Sequence, residues 1–148
     1  YHAVLVFSNP GFQDPVLLGD RLAAFHDQGG GVVVTAFANG NLRGAYASPA
    51  NLNGYALLDY AGDVYGGYGS LGTVQEQQSP LMIGVASLSA PNAYRSAATI
   101  ITGAVVVAWW DSDVSPANGG QPLVLRGTRG NRTLVELNFF PPSRGALA

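Results

Sequence analysis

The residues from Asp14 to Ala38 decide the fold, and they read DPVLLGDRLAAFHDQGGGVVVTAFA. Asp14 followed by Pro15 predicts a helix start, because Asp caps free backbone N–H groups and proline fits the first turn. Apolar residues then recur at helical spacing as far as Gln28, where three glycines end the helix. The apolar run that follows, at residues 32–38, predicts a strand that is buried on both faces.

A second apolar run, AVLVF at residues 3–7, precedes this helix and predicts another such strand. Strand, helix and strand in that order predict a parallel βαβ unit. The last third of the chain has strand-like runs with no helical pattern between them, and GTRGN predicts a hairpin turn. Those runs cover residues 98–101, 104–110, 123–126 and 133–139. The sequence therefore predicts one α/β domain over residues 1–148, with a mixed sheet that is parallel at its start and antiparallel at its end.

The composition excludes several classes of partner and chemistry. The chain of 148 residues has 11% charged side chains, a net charge of -2, 7 basic residues that are all Arg, and no Cys. So few basic residues argue against a nucleic-acid partner, and the lack of Cys excludes a thiol nucleophile. The longest apolar run is too short to span a membrane. A surface with so few charges is poorly protected against self-association, so we expect a homo-oligomer.

Between residues 39 and 79 the apolar residues follow neither helical nor strand spacing. We predict a Tyr/Gly-rich insertion there, in which LGTVQ is the best strand candidate. A short helix or turn is predicted near residues 80–88. GYGSLG, at residues 67–72, matches the G-x-G-x-x-G pattern of dinucleotide sites but lacks the preceding buried strand, the following helix and the later acidic residue. We therefore predict a Tyr-Gly loop and no cofactor. The aromatic residues that suit a partner interface are Tyr55, Tyr60, Tyr65, Tyr68 and Trp110.

Open α/β sheets bind ligands beyond the carboxyl ends of their parallel strands, so a ligand pocket is expected there. The residues at those ends are Ser8, Asn9, Asn39, Asn41 and Arg43. The alternative is that the Asn and Ser side chains close turns through hydrogen bonds. Trp109 and Trp110 point to opposite faces of a strand, so we expect one in the core, while the other could stack on a sugar.

We predict no catalytic residue and no metal ligand. The G-x-S-x-G and H-E-x-x-H motifs are absent from the sequence. His26 lies on the last helical turn, where a cation interacts favourably with the helix dipole, so a capping or surface role is expected. Glu136 interrupts an apolar strand, and we expect it to face solvent or to pair with Arg126 or Arg132 across the hairpin. A catalytic role for Glu136 is the alternative.

Two further motifs concern the surface. DSDVSPANGG, at residues 111–120, suggests calcium because Asp111 and Asp113 alternate, but prolines occupy the positions where an EF-hand needs glycine and glutamate. We expect an exposed polar loop, with an irregular calcium site as the alternative. Asn131-Arg132-Thr133 is an N-glycosylation sequon in a predicted turn, which makes Asn131 a candidate glycosylation site.

Three stretches of the chain carry a resemblance to a known family. FHDQGGGVVV, after an apolar strand and a helix, resembles the class I glutamine amidotransferase-like fold, particularly its trehalose-utilisation-like branch. SPLMIGV, at residues 79–85, is similar to that branch's His-Pro-Ile-x-x-Gly element, and TLVELNFFPPS is similar to its closing strand. The resemblance covers residues 1–38 and 79–143, and it implies a flavodoxin-like sheet.

The departures from the family limit what the resemblance implies. The family's nucleophile is a Cys, which this chain lacks, and Ser79 stands where the branch has His. The resemblance therefore implies no amidotransferase activity. The family's opening strand and helix also have no counterpart here, which implies an incomplete sheet with an open edge that can accept a strand.

The sequence thus favours a non-enzymatic extracellular or cell-surface module that is a structural subunit of a homomeric assembly. The alternative is a carbohydrate-binding or carbohydrate-processing domain, which the resemblance implies, with a glycan as its partner. A third hypothesis is a regulatory appendage whose active domain lies upstream of Tyr1.

Overall fold

The computed structural model describes residues 1–46, 54–65, 67–111 and 120–140. These residues form two α-helices and nine β-strands, with one-turn 3-10 helices at Gly44–Tyr46 and Pro80–Met82. In chain order the elements are β1 (Ala3–Val6), α1 (Pro15–Asp27), β2 (Gly31–Thr35), α2 (Ala38–Asn41), β3 (Leu58–Val64), β4 (Gly69–Val74), β5 (Ser89–Ala90), β6 (Arg95–Ile100), β7 (Val105–Trp110), β8 (Pro122–Arg129) and β9 (Arg132–Leu137).

Seven strands form one sheet in the order β1-β2-β9-β8-β7-β4-β5, while β3 and β6 form a separate antiparallel pair. In the large sheet β1, β2 and β9 are parallel, and the other neighbours are antiparallel. The predicted α/β class is therefore confirmed, with a mixed sheet that is parallel at its start and antiparallel at its end. The sequence analysis did not predict that β9 inserts beside β2.

The βαβ unit forms where the local signals predict it. The Asp14 carboxylate accepts a hydrogen bond from the backbone N–H of Leu17 at 2.9 Å, and Pro15 opens the helix. After α1, Gly29 adopts a φ of 110°, which favours glycine because it has no Cβ. The core between α1 and the parallel strands contains Val6, Leu22, Ala23, Val32 and Val34.

Both faces of the antiparallel part of the sheet are covered. On the face that α1 shares, Leu57, directly before β3, and Leu58, its first residue, join the same cluster as Leu125 of β8. On the opposite face, a second cluster contains Met82, Val107, Trp110 and Leu123. Trp109 and Trp110 point to these two faces and are both buried, at 8% and 2% exposure. Only one of them was expected in the core.

The parallel part of the sheet exposes the face opposite α1. The strand register places Leu5, Val33 and Val135 side by side on that face. Leu5 is 52% exposed and Phe7 is 55% exposed, whereas Val6, which points towards α1, is buried. The prediction that the first strand is buried on both faces is therefore wrong.

The segment predicted as an insertion supplies strands to both sheets. β3 lies in the two-stranded sheet, and β4, which contains most of LGTVQ, lies in the large sheet beside β7. The GYGSLG motif is not a loop throughout, because its residues from Gly69 onward belong to β4. A Cβ on Gly69 would lie 2.5 Å from the Ala93 Cβ and 2.9 Å from the Trp110 ring. The glycine therefore allows the β4 backbone to approach that ring.

Candidate functional site

Four aromatic side chains gather at the carboxyl ends of β2 and β9, and we call them the aromatic platform. They are Phe37, Tyr65, Tyr94 and Phe140. The ring of Phe37 lies 5.3 Å from that of Phe140, 5.9 Å from that of Tyr65 and 6.1 Å from that of Tyr94. Tyr65 and Tyr94 are themselves 6.0 Å apart, edge to face. These separations are those of packed aromatic pairs, so the rings support one another.

The backbone conformation of Phe37 aims its ring into the platform. β2 ends at Thr35, earlier than predicted, because Phe37 takes a φ of 68° and the chain turns into α2. Among the described residues, Phe37 is the one non-glycine residue with a positive φ. Such a conformation costs on the order of 1 kcal/mol, and the surrounding packing must hold it in place.

The outer rings of the platform face solvent. Phe37 is 7% exposed, whereas Tyr65 is 70% exposed and Tyr94 is 36% exposed. The Tyr65 hydroxyl donates to Asp63 Oδ2 at 2.9 Å. Burial, together with Asp63, raises the pKa of Tyr60 to about 12. Exposed tyrosine faces beside an acceptor are suited to stacking on a sugar ring and binding its hydroxyl groups.

Asn39, on α2, links this edge of the sheet to a buried network centred on Glu136. Asn39 Nδ2 donates to Glu136 Oε1 at 2.9 Å. Glu136 Oε2 accepts from the backbone N–H groups of Leu57 at 3.0 Å and Leu58 at 3.2 Å. The Ser96 hydroxyl donates to Asn39 Oδ1 at 2.9 Å. The Glu136 carboxylate therefore joins α2, β3 and β9.

The surroundings of Glu136 correct the sequence prediction. Glu136 is 3% exposed, and burial raises the pKa of its carboxyl group to about 7, although its three hydrogen bonds act in the opposite direction. It does not pair with Arg126, whose guanidinium binds Glu76 at 2.6 Å instead. Because all three donors to Glu136 are protein groups and it is almost fully enclosed, its arrangement is suited to fixing the fold rather than to contacting a ligand.

The polar residues predicted at the strand ends mostly serve local structure. Ser8 is buried and its hydroxyl donates to the Pro10 carbonyl, while Asn39 belongs to the Glu136 network. Arg43 donates to the carbonyl groups of Gly40 and Leu42 at 2.8 and 2.7 Å. Asn9 is exposed, and Asn41 is half-buried with its Oδ1 near Gly11. Turn closure, the alternative interpretation for Asn and Ser, therefore accounts for Ser8, and Arg43 also bonds locally.

The predicted interface residues divide into two groups. Tyr65 and Tyr68 are exposed, at 70% and 64%, and Tyr60 is half-buried. Tyr55 and Trp110 are buried, at 5% and 2%. Trp110 Nε1 donates to the Asn138 carbonyl, and the Tyr55 hydroxyl donates to Asp27. Because their polar atoms are bonded within the chain, these two residues are core groups and cannot form an outer interface.

Three members of the platform, Phe37, Tyr94 and Phe140, were missed by the sequence analysis. Each lies next to a strand end, but a single sequence does not show that distant strand ends meet. The exposed side chains of β1 were also missed, because AVLVF has no polar residue to mark an outward face. Hydrophobicity alone indicated burial on both sides of the strand.

His26 also differs from its prediction. It is 1% exposed, and neither ring nitrogen has a hydrogen-bond partner in the described residues. Burial lowers the pKa of His26, and Arg132 and Arg129 act in the same direction while Asp27 opposes them. The lowered pKa favours the neutral ring, which weakens the expected interaction of a cation with the end of α1.

The structure locates the candidate glycosylation site and part of the candidate calcium loop. Asn131 is exposed in the two-residue turn between β8 and β9, a position that a glycan could occupy. Asp111 accepts a hydrogen bond from the Ser70 hydroxyl at 3.3 Å, but Asp113 lies outside the described residues. In the described part of the chain no three His, Asp or Glu side chains form a group that could hold a metal ion.

No described helix combines the length and the apolar character needed to cross a membrane. No protein-family model matches the chain, and no curated protein has a significantly similar sequence.

Proposed function

We propose that the chain is a non-enzymatic extracellular or cell-surface module that acts as a structural subunit of a homomeric assembly. The observation that carries the proposal is the exposed apolar surface of β1, the edge strand of the large sheet. Parallel strands are normally covered on both faces. Here Leu5 and Phe7 are more than half exposed, which favours a partner that covers them.

A second copy of the chain is the partner that fits this edge. Proteins usually protect an edge strand with charged side chains, proline or a bulge, because its free backbone groups can pair with another strand. Residues 1–13, YHAVLVFSNPGFQ, contain no Asp, Glu, Lys or Arg. Two copies of β1 can therefore meet without like-charge repulsion, and antiparallel pairing about a two-fold axis would extend the sheet and its apolar face.

Light scattering after size-exclusion chromatography, at micromolar concentrations, tests the proposal. We expect the wild-type chain to self-associate and Leu5→Lys to shift it to monomer, because lysine on an edge strand opposes pairing. Ile83→Lys is the matched control, since Ile83 is 80% exposed but lies outside β1. A monomeric wild type, or equal effects of the two substitutions, would overturn the proposal.

The aromatic platform favours carbohydrate binding as a second candidate function. Tyr65 and Tyr94 offer exposed ring faces beside the Asp63 carboxylate, at the sheet edge where α/β proteins bind ligands. A glycan array followed by titration with millimolar oligosaccharides tests this function. Tyr65→Ala and Tyr94→Ala should abolish binding, while Tyr68→Ala should retain it, because Tyr68 is similarly exposed but outside the platform. Absence of binding to every glycan would remove this candidate.

Membership of the class I glutamine amidotransferase-like group, with its flavodoxin-like sheet, is part of the same proposal. The β1–α1–β2 unit supports it, as does the sharp turn at Phe37 directly after a parallel strand. The side chain at that turn is the phenyl ring of Phe37, which cannot act as a nucleophile, and this agrees with a non-enzymatic role.

A further inference from the structure

The tip of the β8–β9 hairpin carries two arginines in an unusual arrangement. Arg129 and Arg132 are direct cross-strand partners that close the two-residue turn. They border an open depression of about 490 Å³, which is lined by Asp27, Arg129, Gly130, Asn131 and Arg132. The depression is open rather than enclosed, so a ligand bound there would stay largely in contact with solvent.

Placing these two charges opposite each other is unfavourable for the fold itself. Like charges in a direct cross-strand pair destabilise a sheet. The whole chain has only 7 basic residues, yet two of them form this pair. Local arrangements that oppose stability occur at functional sites of real proteins.

The positive charge of Arg129 is balanced within the chain. Its guanidinium lies 3.9 Å from the centre of the Tyr55 ring, and its Nε is 3.8 Å from Asp27 Oδ1. The other oxygen of Asp27 accepts the Tyr55 hydroxyl at 2.6 Å. Arg129 is therefore held in a fixed orientation by a stacked ring and a carboxylate whose oxygens are both engaged.

The charge of Arg132 is not balanced in this way. No hydrogen bond or ion pair joins its side chain to any other residue that the structure describes. Its guanidinium lies beside the glycine turn after α1, with Nη1 2.9 Å from the position that a Cβ on Gly29 would occupy. A side chain at Gly29 would require the guanidinium to shift, although the φ of 110° already favours glycine there. Among the described lining residues, two Arg charges outweigh one Asp charge, and the Arg132 guanidinium keeps its planar set of N–H donors turned to no described partner.

We propose that this depression binds an oxyanion group, a carboxylate or a sulfate, carried by a small acidic molecule such as an acidic sugar. Arg132 supplies a bidentate pair of N–H donors, Arg129 supplies a second, preoriented charge, and the Asn131 amide adds a neutral donor. The bound anion relieves the repulsion between the two guanidinium groups. This site is separate from β1 and from the aromatic platform, so it does not depend on the proposed function.

Chemical-shift titration by NMR tests the proposal, with signals from the arginine Nε–H groups and from the backbone amides of Gly130 and Asn131. The probes are inorganic sulfate, glucuronate and neutral glucose, at an ionic strength held constant with chloride. We expect saturable shifts at the hairpin with glucuronate, sulfate or both, and none with glucose. Binding of both anions identifies a general oxyanion site, whereas glucuronate alone identifies a site for acidic sugars.

Substitutions separate a specific site from general attraction. Arg132→Gln should weaken binding about tenfold or more, the loss expected for one charge-assisted contact, and Arg132→Lys should lie between this variant and wild type because lysine lacks the planar fork. Arg21→Gln, an exposed arginine on α1, is the matched control and should bind as wild type does. Non-saturable shifts, equal binding of glucose, or full binding by both Arg132 variants would overturn the proposal.

Discussion

At the scale of single residues, Glu136 has the largest structural role that the sequence conceals. Its carboxylate accepts hydrogen bonds from Asn39, Leu57 and Leu58, which are distant in sequence. A single sequence shows that a glutamate lies in an apolar strand, but it does not show which N–H groups donate hydrogen bonds to its carboxyl group. Solvent exposure was therefore the natural expectation. The same limit applies to Tyr55, whose acceptor Asp27 lies on another element.

Replacement of Glu136 by glutamine should destabilise the fold. Both oxygens of the carboxyl group, protonated at pH 5, can accept from N–H groups, whereas the NH₂ of glutamine cannot, so at least one buried donor loses its acceptor, at a cost of about 1–3 kcal/mol. Urea unfolding at pH 5 measures this effect. Glu76→Gln is the matched control, and its effect should be much smaller because the Glu76–Arg126 pair is partly exposed to solvent. Equal effects of the two substitutions would contradict the structural role of Glu136.

The pKa of Glu136 also predicts how stability depends on pH. The native value of about 7 exceeds the ordinary value of 4.5, so the native state holds this proton more tightly than the unfolded state does. Its contribution to stability is full below pH 4.5 and is lost as the pH rises towards 7. The free energy of unfolding of the wild type, relative to Glu136→Gln, should fall by on the order of 2 kcal/mol across that window. Paired urea titrations check this, and a constant difference would exclude the raised pKa.

At the scale of elements, helices and strands were predicted best where their ends depend on residues close together in the sequence. The start of α1 depends on Asp14 and Pro15, and its end depends on the glycines beside Gly29, all within a few residues. Strand β4 was harder to predict, because Gly69 and Gly72 interrupt its apolar pattern. Those glycines are explained by close packing against β7 and the residue after it, which no local signal reveals.

Substitution of Gly69 by alanine should therefore disturb the sheet. The added Cβ would lie within 3 Å of both Ala93 and Trp110, and such overpacking costs about 1–3 kcal/mol. Urea unfolding measures the loss, and near-ultraviolet circular dichroism reports on the Trp110 ring. Gly11→Ala is the control, since a Cβ there has its nearest neighbour at 4.0 Å. A neutral effect of Gly69→Ala would mean that β4 can move away from β7 without loss.

At the scale of the whole molecule, the class of fold was predictable but the strand order was not. Periodicity assigns residues to strands, yet it does not say which strands are neighbours. The apolar pattern of β9 resembles that of β8, and a hairpin turn places the two strands side by side. Nothing in the sequence of β9 indicates that β2 is its other neighbour. The candidate sites depend on that order, because it brings Phe37 and Phe140 to the same edge.

Self-association of the molecule should be nearly independent of salt. The proposed contact at β1 contains no Asp, Glu, Lys or Arg in residues 1–13, so dissolved salt has few charges to screen there. The dissociation constant should change by less than about threefold between 50 and 500 mM sodium chloride. Analytical ultracentrifugation measures it. A strong decrease in affinity with salt would instead indicate contacts between charged groups elsewhere on the surface.

The position of β9 between β2 and β8 also has a consequence for synthesis on the ribosome. The β1–α1–β2 unit precedes the strand that joins it to the rest of the sheet by about a hundred residues, and the other described strands are synthesised before that strand. Pairings between such distant residues, as between Val33 and Val135, are slow to form because a long chain segment must first be ordered. Until then β2 presents an open edge that β9 of another nascent chain can fill. Exchange of β9 between copies is therefore the form of domain swapping that this strand order allows.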